Sequence, residues 1–368
     1  MSKLKVLELF AGIGACSKAL ENLGIEHEIV DAVEIDKYAI RSFNAIHNTN
    51  FEPQDISEWD KDIECDLIMH GSPCQDFSIA GKGKGGDKGS GTRSSLMYET
   101  IRIVEKLKPK YVIWENVKNL LSKKHIHNFN AYLQKMGELG YHSNYKVLNA
   151  KNYGVPQNRE RVFTVSIRKD LEEEYFNFEF PKSICLDRYL KDILEDQVDE
   201  KYYLSEERIE KICEWHIRQR ENGRGFRFEV KDGNSIGRAV TTSGDRPSST
   251  NYVTALIKTA NKQGYDIAKD GDAIDLTYPN SNTRRGRVGH SISKTISTGG
   301  GSMGTIELGQ DVRIRKLTPK ECWRLMGFDD EDFEKASKVN SNTQLYKQAG
   351  NSIVVNVLQA ILMELLNE

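Results

Sequence analysis

Two kinds of hydrophobic pattern alternate along the first half of the chain. The runs KVLELF (Lys5–Phe10), EIVDAVEID (Glu28–Asp36), CDLIMH (Cys65–His70) and YVIWENV (Tyr111–Val117) are apolar and strand-length, too short for helices. Helical spacing fills the gaps between some of them. Cys16, Leu20 and Leu23 recur at helical intervals and stop at Gly24, and Arg93–Pro109 is periodic up to its proline. A helix around Asn128–Leu139, a strand at YKVLNA from Tyr145 and an alternating strand in GVPQNRERVFTVSI continue the series. Strand and helix patterns in alternation predict an α/β domain with an open sheet.

The pattern changes at about Lys182. From there to about Leu317 the chain is polar, rich in Gly, Ser, Thr, Asn and Arg, with short β-like pieces, which predicts a second, smaller and mainly β domain. It holds an imperfect repeat, SIGRAVTTSG from Ser235 and SISKTISTGG from Ser291, and two basic stretches, Arg220–Arg227 and Asn282–His290, suited to phosphates and base edges. RKLTPKECWRLMGF (Arg315–Phe328) then reads as a capped helix, with Thr318 ahead of Pro319 and Glu321. From about Ser352, the residues Ile353, Val354, Val357, Leu358, Ile361, Leu362 and Leu365 make one apolar stripe, so this last helix is expected back on the first domain. The expected division is 1–182, 183–329 and 330–368.

Composition adds little. With 368 residues, 38% hydrophobic and 29% charged, the chain has the balance of a soluble globular protein with room for two domains. No signal-peptide pattern or long apolar run is evident, so a cytoplasmic protein without membrane contact is expected. The net charge of −2 neither advertises nor excludes nucleic acid, because binding needs a basic face and not a basic average. Six scattered cysteines without a CxxC pair suggest free thiols, and indicate neither a zinc site nor a disulfide framework.

Candidate chemistry gathers where strands end. In GSPCQDFS (71–78), Cys74 follows the CDLIMH strand between a proline and a glutamine, badly placed for packing and well placed for a nucleophile. GKGKGGDKGSG (81–91) behind it cannot pack a core and reads as a lid. After the first strand, Phe10, Gly12 and Gly14 form an FxGxG turn into a helix, which suits a nucleotide-like ligand but equally an ordinary tight turn. Glu34 and Asp36 follow about 20 residues later, where a carboxylate takes ribose hydroxyls; without a full GxGxxG, a cofactor with one ribose fits better than a dinucleotide. Asp55, beside Ile56, is placed either to accept from an adenine amino group or to cap the following turn. Glu115 and Asn116 end the VIW run, and an acidic helix cap is the alternative there. Arg159 and Arg161 precede an alternating strand that points both to one face, as a solvated edge or as a clamp for an anion or carbonyl.

Laid out in order, the blocks LELFAGIG, VEID, QDIS, GSPCQDFS, RSSLMYE, ENV, QNRERVF, RKLTPKECWRLMGF and QAGNSIVVNVL resemble those of the cytosine-5 DNA methyltransferases, over nearly the whole chain except about 182–312. The resemblance implies a Rossmann-like S-adenosylmethionine-dependent methyltransferase domain and a mainly β target-recognition domain. It implies that Cys74 attacks carbon 6 of a flipped cytosine, that Glu115 serves ring nitrogen 3, and that Arg159 and Arg161 bind the base. It places S-adenosylmethionine against Phe10, Gly12, Glu34, Asp55, Ile56, Pro73, Leu96, Asn351 and Ser352. The first block departs from many members in continuing GIGACS, without their second glycine and phenylalanine. Double-stranded DNA is the implied partner and a monomer the expected state. A cognate restriction endonuclease, an enzyme standing alone and protection of a phage genome all remain open. A tRNA cytosine methyltransferase, the nearest rival, has a much shorter variable region; a catalytically dead DNA-binding protein is disfavoured by intact Cys74, Glu115, Arg159 and Arg161.

Overall fold

The strand Leu4–Leu9 (β1) lies between two parallel partners, and the sheet is laid out from it. In the computed structural model the described residues are 3–73, 93–171, 173, 177–205, 207, 211, 230–231, 235–240, 242, 252–253, 257–258, 265–266, 273–275, 288–289, 303–305 and 315–366. Cys74, the expected lid at 81–91 and nearly all of both basic stretches and of the second repeat copy lie outside them.

From β1 the chain turns at Gly14 into helix α1 (Ala15–Leu23), which ends at Gly24 in the left-handed conformation, as the glycine stop predicts. It returns as β2 (His27–Val33), enters α2 (Lys37–His47), and comes back across β1 as β3 (Leu67–His70). Helix α3 (Met97–Leu107), β4 (Tyr111–Val117), α4 (Ile126–Glu138), β5 (Tyr141–Asn149) and β6 (Glu160–Arg168) complete a six-stranded sheet, in the order β2-β1-β3-β4-β6-β5. The first four strands are parallel, and β6 runs antiparallel to both β4 and β5. Parallel strands buried on both faces account for the near-continuous apolar runs. Val112, Ile113 and Trp114 are at most 1% exposed, and Val112 and Trp114 share a core with Val104 of α3 and Phe129 and Tyr132 of α4.

Two elements differ from the sequence expectation. Helix α2 is additional: Asp36 caps it by accepting from the Tyr38 amide at 2.9 Å, and Ile40 and Phe43 bury against Ala11 and Ala32. β5 starts four residues earlier than its apolar core suggests, because pairing with β6 carries the polar stretch from Tyr141 to Asn144.

The described chain divides into two units. One comprises 1–188, 238–244 and 319–368; the other comprises 189–237 and 245–318. The expected boundary at 329 is therefore corrected to 318. Helix α5 (Pro319–Arg324) belongs with the sheet unit because Trp323 is fully buried there, its ring 5.3 Å from Phe328 and its Nε1 donating to the Leu345 carbonyl. The residues 238–244 belong with it too, inside a stretch that composition assigned wholly to the second domain. After α6 (Asp330–Ser337) and α7 (Asn342–Asn351), a break at Ser352 leads into α8 (Val355–Leu366), whose apolar stripe packs on α1. Asn342–Leu366 has the length and hydropathy of a membrane span, but half of its most apolar window is buried and it consists of these two core helices. In the second unit the described strands are two or three residues long, for example Ala273–Asp275 between Val288–Gly289 and Met303–Thr305. That is the mainly β character expected.

Candidate active site

The chain leaves β1 through strained backbone. Phe10 has φ 53°, unusual for any residue but glycine, and Gly12 and Gly14 follow at 57° and 81°. Gly14 has a second reason to be glycine, since a Cβ there would stand 2.1 Å from His47 Nε2. Glu34 fixes the turn: its carboxylate accepts from the Gly12 amide at 3.0 Å and the Asp36 amide at 2.8 Å, and burial pushes it above the usual carboxylate range. A cleft of about 400 Å³, its solvent mouth included, opens at this point. It lies outside the carboxyl ends of β1 and β3, where the strand order reverses and open α/β sheets place their ligands.

Of the nine residues expected around a cofactor, Phe10, Gly12, Asn351 and Ser352 line the cleft, and Glu34 acts on its wall through Gly12. Asp55, Ile56, Pro73 and Leu96 are not among its lining residues. Asp55 takes the capping role: its Oδ1 accepts from the Ser57 amide at 2.9 Å and the Ser57 hydroxyl at 2.7 Å. Ile56 is buried, Leu96 packs half-buried on the core, and Pro73 is the last described residue before Cys74. Sequence reasoning missed Glu8, Gly71 and Ile353. Glu8 had a visible signal, a charge in the middle of a strand otherwise buried.

Glu115, at the carboxyl end of β4, also lines the cleft. Strand register puts Val117 opposite Arg161, and Arg161 Nε comes to 2.9 Å from Glu115 Oε1. Oε1 is buried, and this ion pair is the contact it makes. Burial pushes the Glu115 carboxyl above its ordinary range, against the opposing pull of Arg161 and then Arg159. The backbone that leads to Cys74 is close by, since a Cβ on Gly71 would lie 3.8 Å from Glu115 Oε2. That backbone is tethered to β4. Ser72 Oγ accepts from Trp114 Nε1 at 3.0 Å, and the Ser72 carbonyl from Asn116 Nδ2 at 3.2 Å. Beneath it His70 is stacked 5.6 Å from Trp114, with Nε2 3.1 Å from the Tyr132 hydroxyl; burial pushes the imidazole down to about 3, so it is neutral.

The two arginines, expected as a pair, have different partners. Arg159 lies just ahead of β6, and its guanidinium donates to the carbonyls of Val240 (2.9 Å), Gly350 (3.2 Å) and Ser352 (2.9 Å). It therefore secures the connection that forms one wall of the cleft, while Arg161 faces Glu115.

A family model described as C-5 cytosine-specific DNA methylase matches residues 4–367. The chain belongs to this family. It is 33% identical to the orphan methyltransferase M.Rho11sI of Bacillus phage rho11s, over 100% of this chain and 98% of that protein. It is 34% identical to the type II methyltransferase M.HhaI of Haemophilus parahaemolyticus, over 98% and 94%. Among solved structures, a mutant of Spodoptera frugiperda DNMT2 superposes with a TM-score of 0.66 at 22% identity, covering 99% of both chains, a likeness of fold. The chain is thus a DNA (cytosine-5)-methyltransferase. Among the described residues, Cys16, Cys65 and Cys185 are free thiols. Cys16 lines the cleft, but burial pushes it well above the ordinary thiol range, and burial pushes Cys65 up to about 12. Neither is available as a thiolate at neutral pH.

Proposed function

We propose that this methylase transfers a methyl group from S-adenosylmethionine to carbon 5 of a cytosine flipped out of a specific double-stranded DNA sequence, through a covalent adduct with Cys74. The observation that carries this reading is Glu115, a buried carboxyl with raised proton affinity, lining the cleft beside Arg161 and the backbone entering the Cys74 segment. The cleft fits the cofactor. Gly12 lines it with no side chain in the way, a Cβ there meeting no atom within 4 Å, and Glu34 stands behind that turn. When bound, S-adenosylmethionine supplies an electrophilic methyl group on a sulfonium.

The chain's own groups do the rest. Carbon 5 of cytosine is a poor nucleophile until a thiolate adds to carbon 6. Cys74 makes that bond while Glu115 gives its proton to ring nitrogen 3, so the electron pair displaced from carbon 6 is held in the ring. Arg161 stabilises the carboxylate that Glu115 becomes. Carbon 5 would then bond to the methyl group as that group's bond to the sulfonium sulfur breaks and leaves a neutral thioether, after which a base removes the carbon 5 proton, the Cys74 sulfur leaves with its electron pair, and Glu115 recovers the proton from nitrogen 3. A base inside a duplex cannot reach these groups, hence the flip. The second unit, 189–237 with 245–318, is the reader of the DNA sequence in this account, and the methylase works as a monomer.

Bisulfite sequencing of DNA from a methylation-free host expressing the chain tests the reading. One short sequence should resist conversion at one cytosine in wild type and not in Cys74→Ala. Complete conversion of all sites in wild type would contradict it.

A further inference from the structure

The turn that brings Phe10, Gly12 and Ala15 to the cleft is held from two sides. Its Phe10 has left-handed backbone, which persists only where the surroundings enforce it. Glu34 holds the turn through the Gly12 amide. His47, the last residue of α2, holds it through the Ile13 carbonyl, 3.3 Å from its Nε2. The His47 side chain is 1% exposed, its ring 4.8 Å from that of Phe43, and its Nδ1 lies 3.1 Å from Glu21 Oε1 on α1. A carbonyl and a carboxylate only accept. A neutral imidazole carries one N–H, so it satisfies one of them and turns a lone pair toward the other, whereas the imidazolium satisfies both. Burial works against the Glu21 carboxylate, but the His47 ring and then Lys18 hold it below its ordinary range, so it keeps its charge at neutral pH. Other charges face the ring from the elements around it. Glu8 of β1 and the C-terminus of α2 favour the cation. Lys18 of α1 and His27 of β2 share Glu21 with it, but Lys18 is itself paired with Asp329 and Asp332 at 2.7 and 2.8 Å.

We propose that His47 is a positioning residue for the cofactor: as an imidazolium it pins the glycine turn to α1 through Ile13 and Glu21, so that cofactor affinity depends on its proton. The inference rests on the cofactor reading above and extends it. Loss of the proton releases either Ile13 or Glu21, and the turn loosens. Affinity is therefore full below the pH at which His47 loses its proton, and falls as pH rises through that value. By linkage, bound cofactor strengthens the hold of His47 on its proton by the same factor. Glu115 governs the rate at saturating cofactor and His47 the affinity, which separates the two titrations.

Calorimetric titration of the full-length chain with S-adenosylhomocysteine across a series of pH values tests this, together with NMR of the His47 ring in the free and bound protein. The ring is identified by its proximity to Phe43. Its titration midpoint should move up on binding, and affinity should fall about fivefold or more as pH rises through it. His47→Gln, which cannot carry the charge, should bind weakly throughout and lose this pH dependence. An unmoved midpoint, or an affinity flat across it, overturns the proposal even if His47→Gln does not fold. A pH dependence that survives in folded His47→Gln overturns it as well. Failure of wild type to bind S-adenosylhomocysteine or S-adenosylmethionine at any pH would bring down the cofactor reading, and this inference with it.

Discussion

At Glu115 two opposing influences meet. Burial disfavours the carboxylate, Arg161 and Arg159 favour it, and burial wins. The sign has a consequence for pH. A carboxyl whose folded value lies above its unfolded value adds stability below the unfolded value, and that contribution is lost as pH rises through the folded value. Proton donation to the base follows the same titration. The single-turnover rate should therefore carry an alkaline-side decline set by Glu115, and Glu115→Gln should lose it. That variant still donates a hydrogen bond but cannot transfer a proton, so its rate with saturating S-adenosylmethionine should fall roughly 10²-fold or more with DNA affinity nearly unchanged. A rate within a few-fold of wild type would eliminate Glu115 as the acid. Much of this was legible in sequence, because a carboxylate following VIW has few structural uses. The separate partners of Arg159 and Arg161 were not. Strand alternation says which way a side chain points and not which of three backbone carbonyls, up to 193 residues away, it will reach.

Among elements, β3 and β4 act together. Their carboxyl ends carry Ser72 and Glu115, joined by Trp114 and Asn116 through buried hydrogen bonds. Trp114→Phe keeps the stacking with His70 and Phe129 but deletes the Nε1 donor to Ser72. It should cost about 1 kcal/mol of stability by thermal or denaturant melting, the usual net value of one hydrogen bond. If the tether aligns the segment that bears Cys74, methylation should fall while S-adenosylmethionine affinity does not; unchanged turnover would reduce the tether to a packing feature. The strands themselves were readable from apolar runs that the parallel pairing of β1 to β4 requires. Helix α2 escaped, although Asp36 and the Ala39, Ile40, Phe43 and Ile46 spacing announce it, because the carboxylates of VEID drew attention as ligands. Asp36 in fact caps that helix and pairs with Lys347 at 2.5 Å.

At the scale of the whole molecule, composition located the polar second unit but not its seams. A burial-driven boundary cannot be seen in a segment such as RKLTPKECWRLMGF, whose Trp323, Leu325 and Met326 are scattered among charges and bury fully. Nor does anything in SIGRAVTTSG show that Val240 will accept from Arg159 while donating its amide to Gln157 Oε1 at 2.9 Å. This refines the exchange experiment. Replacing 189–237 and 245–318 by the corresponding region of a relative, with 238–244 kept, should give an active enzyme with the relative's specificity. A swap that also replaces 238–244 should be less stable, since it disturbs those contacts. An active chimera that still methylates the original sequence would refute the assignment of recognition to this unit. The central claim is covalent catalysis by Cys74, and the most direct measurement is trapping on DNA that carries 5-fluorocytosine at the target position. Fluorine at carbon 5 cannot leave as a proton does, so the Cys74 sulfur cannot depart after methyl transfer. Mass spectrometry should find a denaturation-resistant, methylated nucleotide adduct on the peptide containing Cys74, absent from Cys74→Ala. No adduct under conditions where unmodified DNA is methylated, or an adduct on another residue, would contradict the account.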